Sequence, residues 1–290
     1  MTDEIFKGFL QLEERFGTEG AIAGLAIEGH TVSRVIDILR DNESEAHVDL
    51  VQGGRTILLF TEEKHERAQQ NFAAAKDAGI NVDRVEWLTK EQVEKATYRI
   101  PGTNLWPLKL VSVLYNLAAD ASEHFSLALH TRTPVTSITS ASASSARRWD
   151  LSTPRGSVSC SYVLHATNGY ASHLLPFLSG PGGIVPTRGQ IIATRASVPN
   201  VFNKSAFVGA DEYWFPRPQK DLSENDLVII GGARESSKDE NHEQYVVDDS
   251  TVDGDVGKAL REFLPAVFPG KFENGTEPEM EWVRAFYAKV

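Results

Sequence analysis

Cysteine is almost absent: Cys160 is the only one in 290 residues. No disulfide can close within the chain, which excludes a disulfide scaffold and favours a reducing, cytoplasmic setting. Cations are in short supply as well. Lys and Arg total 29 against 40 Asp and Glu, a formal net charge of −11. Binding to nucleic acid or an anionic membrane needs a cationic surplus, so neither is expected as a partner. No apolar run approaches the roughly 18 residues that suggest a membrane span. Met1-Thr2-Asp3-Glu4 has neither the basic start nor the apolar core of a signal peptide.

Familiar catalytic motifs are missing too. There is no G-x-S-x-G elbow and no P-loop. The eight histidines show no metal spacing, His65 has no histidine four residues on, and Cys160 belongs to no CxxC. The lack of a strict βαβα alternation and of a 20–50-residue repeat counts against a TIM barrel and a solenoid.

What is present is a mixture of helical and extended patterns. Ile22, Leu25, Ala26, Val32, Val35, Ile36 and Leu39 recur at helical spacing over 19–40. A hairpin is expected from His47–Val51 and Thr56–Phe60 about Gln52-Gly53-Gly54. Thr61 fits as the N-cap of a helix over 62–78, with Gly79 just past its end. Val82–Leu88 reads as a strand, and Thr89-Lys90-Glu91-Gln92 matches a capping box opening a short helix. Pro107 should open a helix to about Ala119 with Leu110, Val111, Leu114, Leu117 and Ala118 as its stripe. Strands are expected at 126–130, 134–139, 147–152, 158–166, 184–195, 213–216 and 227–231. A last stripe, Val256 to Val267, should bend or end at Pro265. Residues 140–146 and 217–226 read as exposed loops, and 235–255 is polar and acidic enough to be partly mobile. The fold class is therefore α/β in the mixed, α+β sense, with two interleaved domains.

Gly180-Pro181-Gly182-Gly183 precedes a β-branched run rather than a helix, so it reads as a turn and not a nucleotide loop. Two other segments carry more. Val163 to Tyr170 is an apolar run ending in small and polar residues. Such an end lets a backbone approach a bulky ligand, outside the carboxyl ends of strands where α/β folds bind cofactors. Ile184 to Gln190 puts Arg188 beside Gly189 in an otherwise apolar strand. An inward arginine there needs a carboxylate, a phosphate or a polarised carbonyl.

Five segments in order then resemble the FAD-dependent oxidoreductases of the D-amino-acid oxidase and sarcosine oxidase superfamily. They are Gly102 to Val111, Thr133 to Ile138, Leu164 to Tyr170, Ile184 to Gln190, and Tyr213 to Pro218 followed by Leu227 to Gly232. The resemblance implies FAD as cofactor and a small amine or amino acid as substrate. The reaction would be hydride transfer from a carbon bearing nitrogen, with oxygen or another carrier as final acceptor. It implies that Val135 meets the adenine edge and that Ala166, Thr167 and Asn168 pass the pyrophosphate and ribose. Arg188, Gly189 and Gln190 would lie near the flavin ring, and Tyr213 and Trp214 would line the substrate chamber. Tryptophan and tyrosine on a sheet are also common core residues. Trp106 reads equally as a packed residue before a helix, and His165 as a strand residue rather than a base. No catalytic residue is assigned.

By the same resemblance, 1–45 and 101–182 form an incomplete, three-layer FAD-binding domain, and 46–100 with 183–290 an antiparallel-sheet substrate domain. The family opens with a strand, G-x-G-x-x-G and a helix, and closes with a glycine-rich flavin-side segment; neither pattern is found here. The expectation is a truncated form, open to self-association through unpaired sheet edges. A cofactor-free remnant or interaction subunit without activity is the alternative.

Overall fold

A computed structural model describes residues 4–88, 96–120, 126–180, 183–219, 221 and 223–288. The chain divides into two compact units. Unit one comprises 1–120, 192–233 and 259–280, and unit two comprises 121–191, 234–258 and 281–290.

Unit one opens with helix α1, Phe9–Asp41, which passes a kink at Gly17 (φ 72°). The helix thus begins ten residues before its expected start. Glycine tolerates the left-handed backbone that joins the two helical stretches. A short 3-10 turn, Ala46–Val48, leads to strand β1, Arg55–Leu59. Helix α2, Glu62–Asp77, follows with the Thr61 hydroxyl accepting from the Lys64 N–H at 3.2 Å, the expected cap. Strands β2 (Glu86–Leu88) and β3 (Ala96–Ile100) and helix α3 (Pro107–Asp120) complete the first stretch. β1 pairs antiparallel with β3, with Ile57 opposite Tyr98, and β3 pairs antiparallel with β2. Phe9, Ala21 and Leu25 of α1 and Ala75 of α2 are buried on Ile57, Leu59, Tyr98 and Ile100. Phe6, Phe72, Trp87 and Tyr98 add tilted and edge-on ring contacts at 5.0–6.4 Å.

The expected hairpin over 47–60 does not form. Val51 instead bridges Asn104, and β1 takes β3 on one side and β8 on the other. The glycines serve close approach rather than reversal. A Cβ on Gly53 would fall 2.0 Å from the Lys204 carbonyl oxygen, and the Gly54 N–H donates to Gly102 O at 3.1 Å. The strand expected over 82–88 is confined to β2, because Asn81 Oδ1 accepts from the Asp83 N–H at 2.9 Å and folds the preceding residues into a turn. The capping box at Thr89 to Gln92 lies outside the described residues. Helix α3 starts and ends almost as expected, yet none of its residues is buried, and Leu108 and Val111 are exposed. Its stripe obeys the helical period and is half-buried at Leu110, Leu114, Leu117 and Ala118, and the helix packs beside the Ala46–Val48 turn.

In unit two, 126–130 carries no strand. Strands β4 (Ser137–Ser140), β5 (Trp149–Thr153) and β6 (Gly156–Cys160) make a three-stranded antiparallel sheet. β6 stops at Cys160, and 161–167 is irregular, so the strand expected over 158–166 ends six residues early. A four-residue helix α4, Ala171–Leu174, follows.

Strand β7, Val185–Pro199, runs from unit two into unit one. Strands β8 (Ala206–Val208), β9 (Tyr213–Pro216) and β10 (Asn225–Gly231), helix α5 (Gly254–Val267) and strand β11 (Met280–Ala288) complete the fold. The large sheet has the order β11-β7-β10-β9-β8-β1-β3-β2. β8 is parallel to β1, whereas β9 is antiparallel to both β8 and β10. α5 carries Pro265 inside it and ends two residues later, at Val267.

Candidate functional site

The β7 strand carries the first of the two segments that chemistry singled out. Its side chains alternate until Thr187 and Gln190, both buried, with Arg188 and Gly189 half-buried between them. Arg188 has the carboxylate partner that an inward arginine requires: its Nε donates to Glu243 Oε2. Only 11% of the Arg188 side chain and 5% of the Glu243 side chain reach solvent. Nη1 of Arg188 donates to the carbonyl and the hydroxyl of Thr251, both at 3.0 Å. The hydrogen bond to Glu243 holds the guanidinium charged still further above its ordinary range, outweighing desolvation.

Main-chain contacts bind the same loop to the strand. The Arg188 N–H donates to Glu243 O at 2.9 Å and the Tyr245 N–H to Pro186 O at 2.7 Å. Within the loop, Asp239 Oδ2 accepts from the Glu243 N–H at 3.1 Å, and Asp248 accepts from Ser250 and Thr251 at 2.5–2.9 Å. These bonds hold Asp248 below the usual carboxylate range. The segment expected to be partly mobile is thus tied down by its own short acidic and hydroxyl side chains. Composition reported its polarity; it could not report that the polar groups satisfy one another.

Gln190 is the second anchor. Its amide nitrogen donates to Asp253 O at 3.0 Å and Glu281 Oε1 at 2.6 Å, and its oxygen accepts from the Asp253 N–H at 2.8 Å. Asp253 caps α5: Oδ1 accepts from the N–H groups of Asp255 (2.8 Å) and Val256 (2.9 Å), and Oδ2 accepts from Ser237 Oγ at 2.9 Å. Burial raises the Asp253 carboxyl, but the bonds from Val256, Ser237 and Asp255 win and hold it below the usual range. A carboxyl so depressed stabilises the fold above its unfolded value of about 3.9 and loses that contribution as pH falls through the folded value. Asp253→Asn keeps the capping oxygen and removes the charge. The stability gap between wild type and this variant should be full above about pH 5, narrow as pH falls below about 3.9 and close only below the lower, folded value, read by urea unfolding across pH.

The other segment meets the same loop. Ala166, Thr167 and Asn168 are exposed, and Asn168 has φ 47°. Thr167 precedes a 3-10 turn, Asn168–Tyr170, from which the Tyr170 hydroxyl donates to Val247 O at 3.2 Å. His165 is half-buried in the irregular stretch rather than in a strand, and Leu164 beside it is 93% exposed. Val135 is half-buried just before β4. The Gly183 N–H donates to Gly180 O at 3.0 Å, a turn, while Pro181 and Gly182 lie outside the described residues. Arg188 and Gln190 thus bond to residues 243–253, and Tyr170, just after Ala166–Asn168, bonds to Val247 of the same loop. Glu243, Thr251 and Asp253 were not singled out by the sequence. They stand 55 to 63 residues from their partners, and no spacing rule links such distant polar groups.

In unit one, β9 turns Tyr213 and Trp214 to opposite faces. Tyr213 is 40% exposed, whereas Trp214 is wholly buried among Phe202, Phe207, Phe263 and Phe268. Trp106, ahead of α3, is 39% exposed, with the Lys109 ammonium 4.6 Å and the Arg217 guanidinium 4.4 Å from its ring centroid. Among the described residues no group of His, Cys, Asp and Glu could hold a metal ion, and no helix is long and apolar enough to cross a membrane.

Comparison with known proteins follows the same outline. The fold is similar to glycine oxidase from Geobacillus kaustophilus (TM-score 0.61, 19% identity, 93% of this chain and 66% of that one). It is similar to glycine oxidase from Bacillus cereus (TM-score 0.62, 15% identity, 87% and 66%). L-proline dehydrogenase from P. horikoshii is a further neighbour (TM-score 0.59, 14% identity, 88% and 66%). The chain thus spans 66% of the length of these solved relatives. A search of curated proteins finds no match. The family model described as DAO, FAD dependent oxidoreductase, matches residues 9–288, a stretch that includes every segment discussed above. With that match across nearly its whole length, the chain belongs to the FAD-dependent oxidoreductase family.

Proposed function

We propose that the protein works in the oxidation of a small amine or amino acid with FAD, in the cytoplasm. The observation that carries this reading is the family match over 9–288, which contains all nine residues assigned to cofactor or substrate. When bound, FAD supplies the two-electron acceptor for hydride loss from the carbon bearing nitrogen, leaving an imine that hydrolyses.

The chain's own residues fit such a group. Ala166, Thr167 and Asn168 are small and exposed, so their backbone is open to a pyrophosphate and ribose. Val135 precedes β4, where its main chain can meet an adenine edge. Gly189 lacks a Cβ, which leaves the strand surface open to a flat ring. Beside it Arg188 is fixed in direction by Glu243 and Thr251, and Gln190 by Asp253 and Glu281. A cation held by buried partners keeps its field without having to reorganise when charge develops nearby. For the substrate, Tyr213 offers a partly exposed phenol, while Trp214 belongs to the core on the other face of β9.

The test is direct. The purified chain, incubated with FAD and freed of excess by gel filtration, should retain flavin absorption near the visible maximum of the free cofactor. It should bleach on anaerobic addition of a substrate amino acid. A colourless protein after this treatment would overturn the reading for this chain.

A further inference from the structure

Unit one contains a cavity of about 620 Å³ between the second half of α1 and the ends of β1 and β3. That volume is in the range of small-molecule sites, about 300–1,000 Å³. It lies wholly among residues of unit one and shares none of the residues assigned to cofactor or substrate. One wall is apolar, from Val32 and Ile36 of α1, Ile100 at the end of β3 and Pro101 just after it. The charged residues on its surface are Arg84, Glu86 and Arg99, a surplus of one positive charge in a chain of net charge −11.

Arg99 is held in place but incompletely satisfied. Its Nη2 donates to Ser205 Oγ at 2.8 Å, and that hydroxyl donates onward to Gly53 O at 2.9 Å. Its Nε is buried with no hydrogen-bond partner. The arm lies against Gly54, where a Cβ would stand 3.6 Å from Nε and where φ is 78°. Glycine at this point keeps both the backbone turn and the room beside the guanidinium. A buried guanidinium N–H without an acceptor is costly, and a planar carboxylate is the group whose two oxygens match the guanidinium fork.

We infer that this cavity binds a small organic monoanion, its carboxylate on Arg99 and its apolar body along Val32, Ile36 and Ile100. The carboxylate would meet the Arg99 guanidinium where it lines the cavity. The site is independent of the flavin reading and is tested without cofactor.

The experiment titrates the full chain with hexanoate and, separately, with hexanol, by isothermal calorimetry. Hexanoate should bind saturably and hexanol at least tenfold more weakly. Arg99→Gln should weaken hexanoate by about tenfold or more, the loss of one charge-assisted contact. Should Arg99→Gln fail to fold, Ser33→Trp on the exposed surface of α1 fills the cavity mouth and should abolish binding. Absence of saturable hexanoate binding overturns the inference. So does equal binding of hexanol, or retention of wild-type affinity in the folded variants.

Discussion

Glu243→Ala should lower stability by about 3–5 kcal/mol, because it strips a buried guanidinium of its carboxylate. The cost does not measure what the ion pair contributes relative to an apolar pair. It measures a charge stripped of its bonded carboxylate: Arg188 is 11% exposed and would keep only the neutral oxygens of Thr251 as hydrogen-bond partners, with the fields of Asp253 and Asp248. Glu243→Leu combined with Arg188→Met removes both charges and should recover much of the loss. Urea unfolding of the two single variants and the double variant, followed by circular dichroism, closes the cycle. If Glu243→Ala unfolds within about 0.5 kcal/mol of wild type, the pair is not buried as described, since changes of that size are ordinary for surface sites. The same variant bears on the proposed chemistry. Arg188 is oriented by Glu243, so flavin retention should fall in Glu243→Ala more than in Glu243→Gln, which keeps an acceptor oxygen.

Trp214→Ala should cost about 3–5 kcal/mol, the range for deleting a large aromatic side chain from a packed core. Its ring stacks on Phe207 at 5.5 Å, tilts against Phe263 at 5.2 Å and meets Phe268 edge-on at 5.8 Å. A Cβ on Gly209 would come within 3.3 Å of it, so the surroundings are tight. Its Nε1 is buried without a hydrogen-bond partner. Trp214→Phe therefore gives up volume but no hydrogen bond and should be clearly milder than Trp214→Ala. Guanidinium unfolding of both variants, monitored by the remaining tryptophans, checks the order. An equal loss in the two would mean that the indole nitrogen, not the ring's packing, carries the stability.

How far each feature could be read in advance follows from the range of the interaction behind it. Helix α2 was legible to the residue at its start, because Thr61 bonds to Lys64 three positions away. α3 and β9 were equally plain, from a proline start and an aromatic run. The three-residue strand β8 was missed, since it exists only through β1 on one side and β9 on the other. The hairpin at 47–60 was misread because Gly53 and Gly54 meet partners some 50 and 150 residues away, namely Gly102, Lys204 and Ala206. At the candidate site, Arg188 and its need for an anion were visible as a cation in an apolar strand. Glu243 was not, because every acidic residue between 239 and 255 offered the same chemistry.

Sequence alone determined the local matters: an acidic chain with one cysteine, the periodicity of its helices, the capping of α2, and the ordered segments that identify its family. Tertiary structure decided which patterns are buried. It left the stripe of α3 only half-buried, with Val111 exposed, enclosed Trp214 while leaving Tyr213 accessible, and chose Glu243 for Arg188. The physical reason is that hydrogen bonding and backbone preference act over a few residues, whereas burial depends on what the rest of the chain brings against each surface.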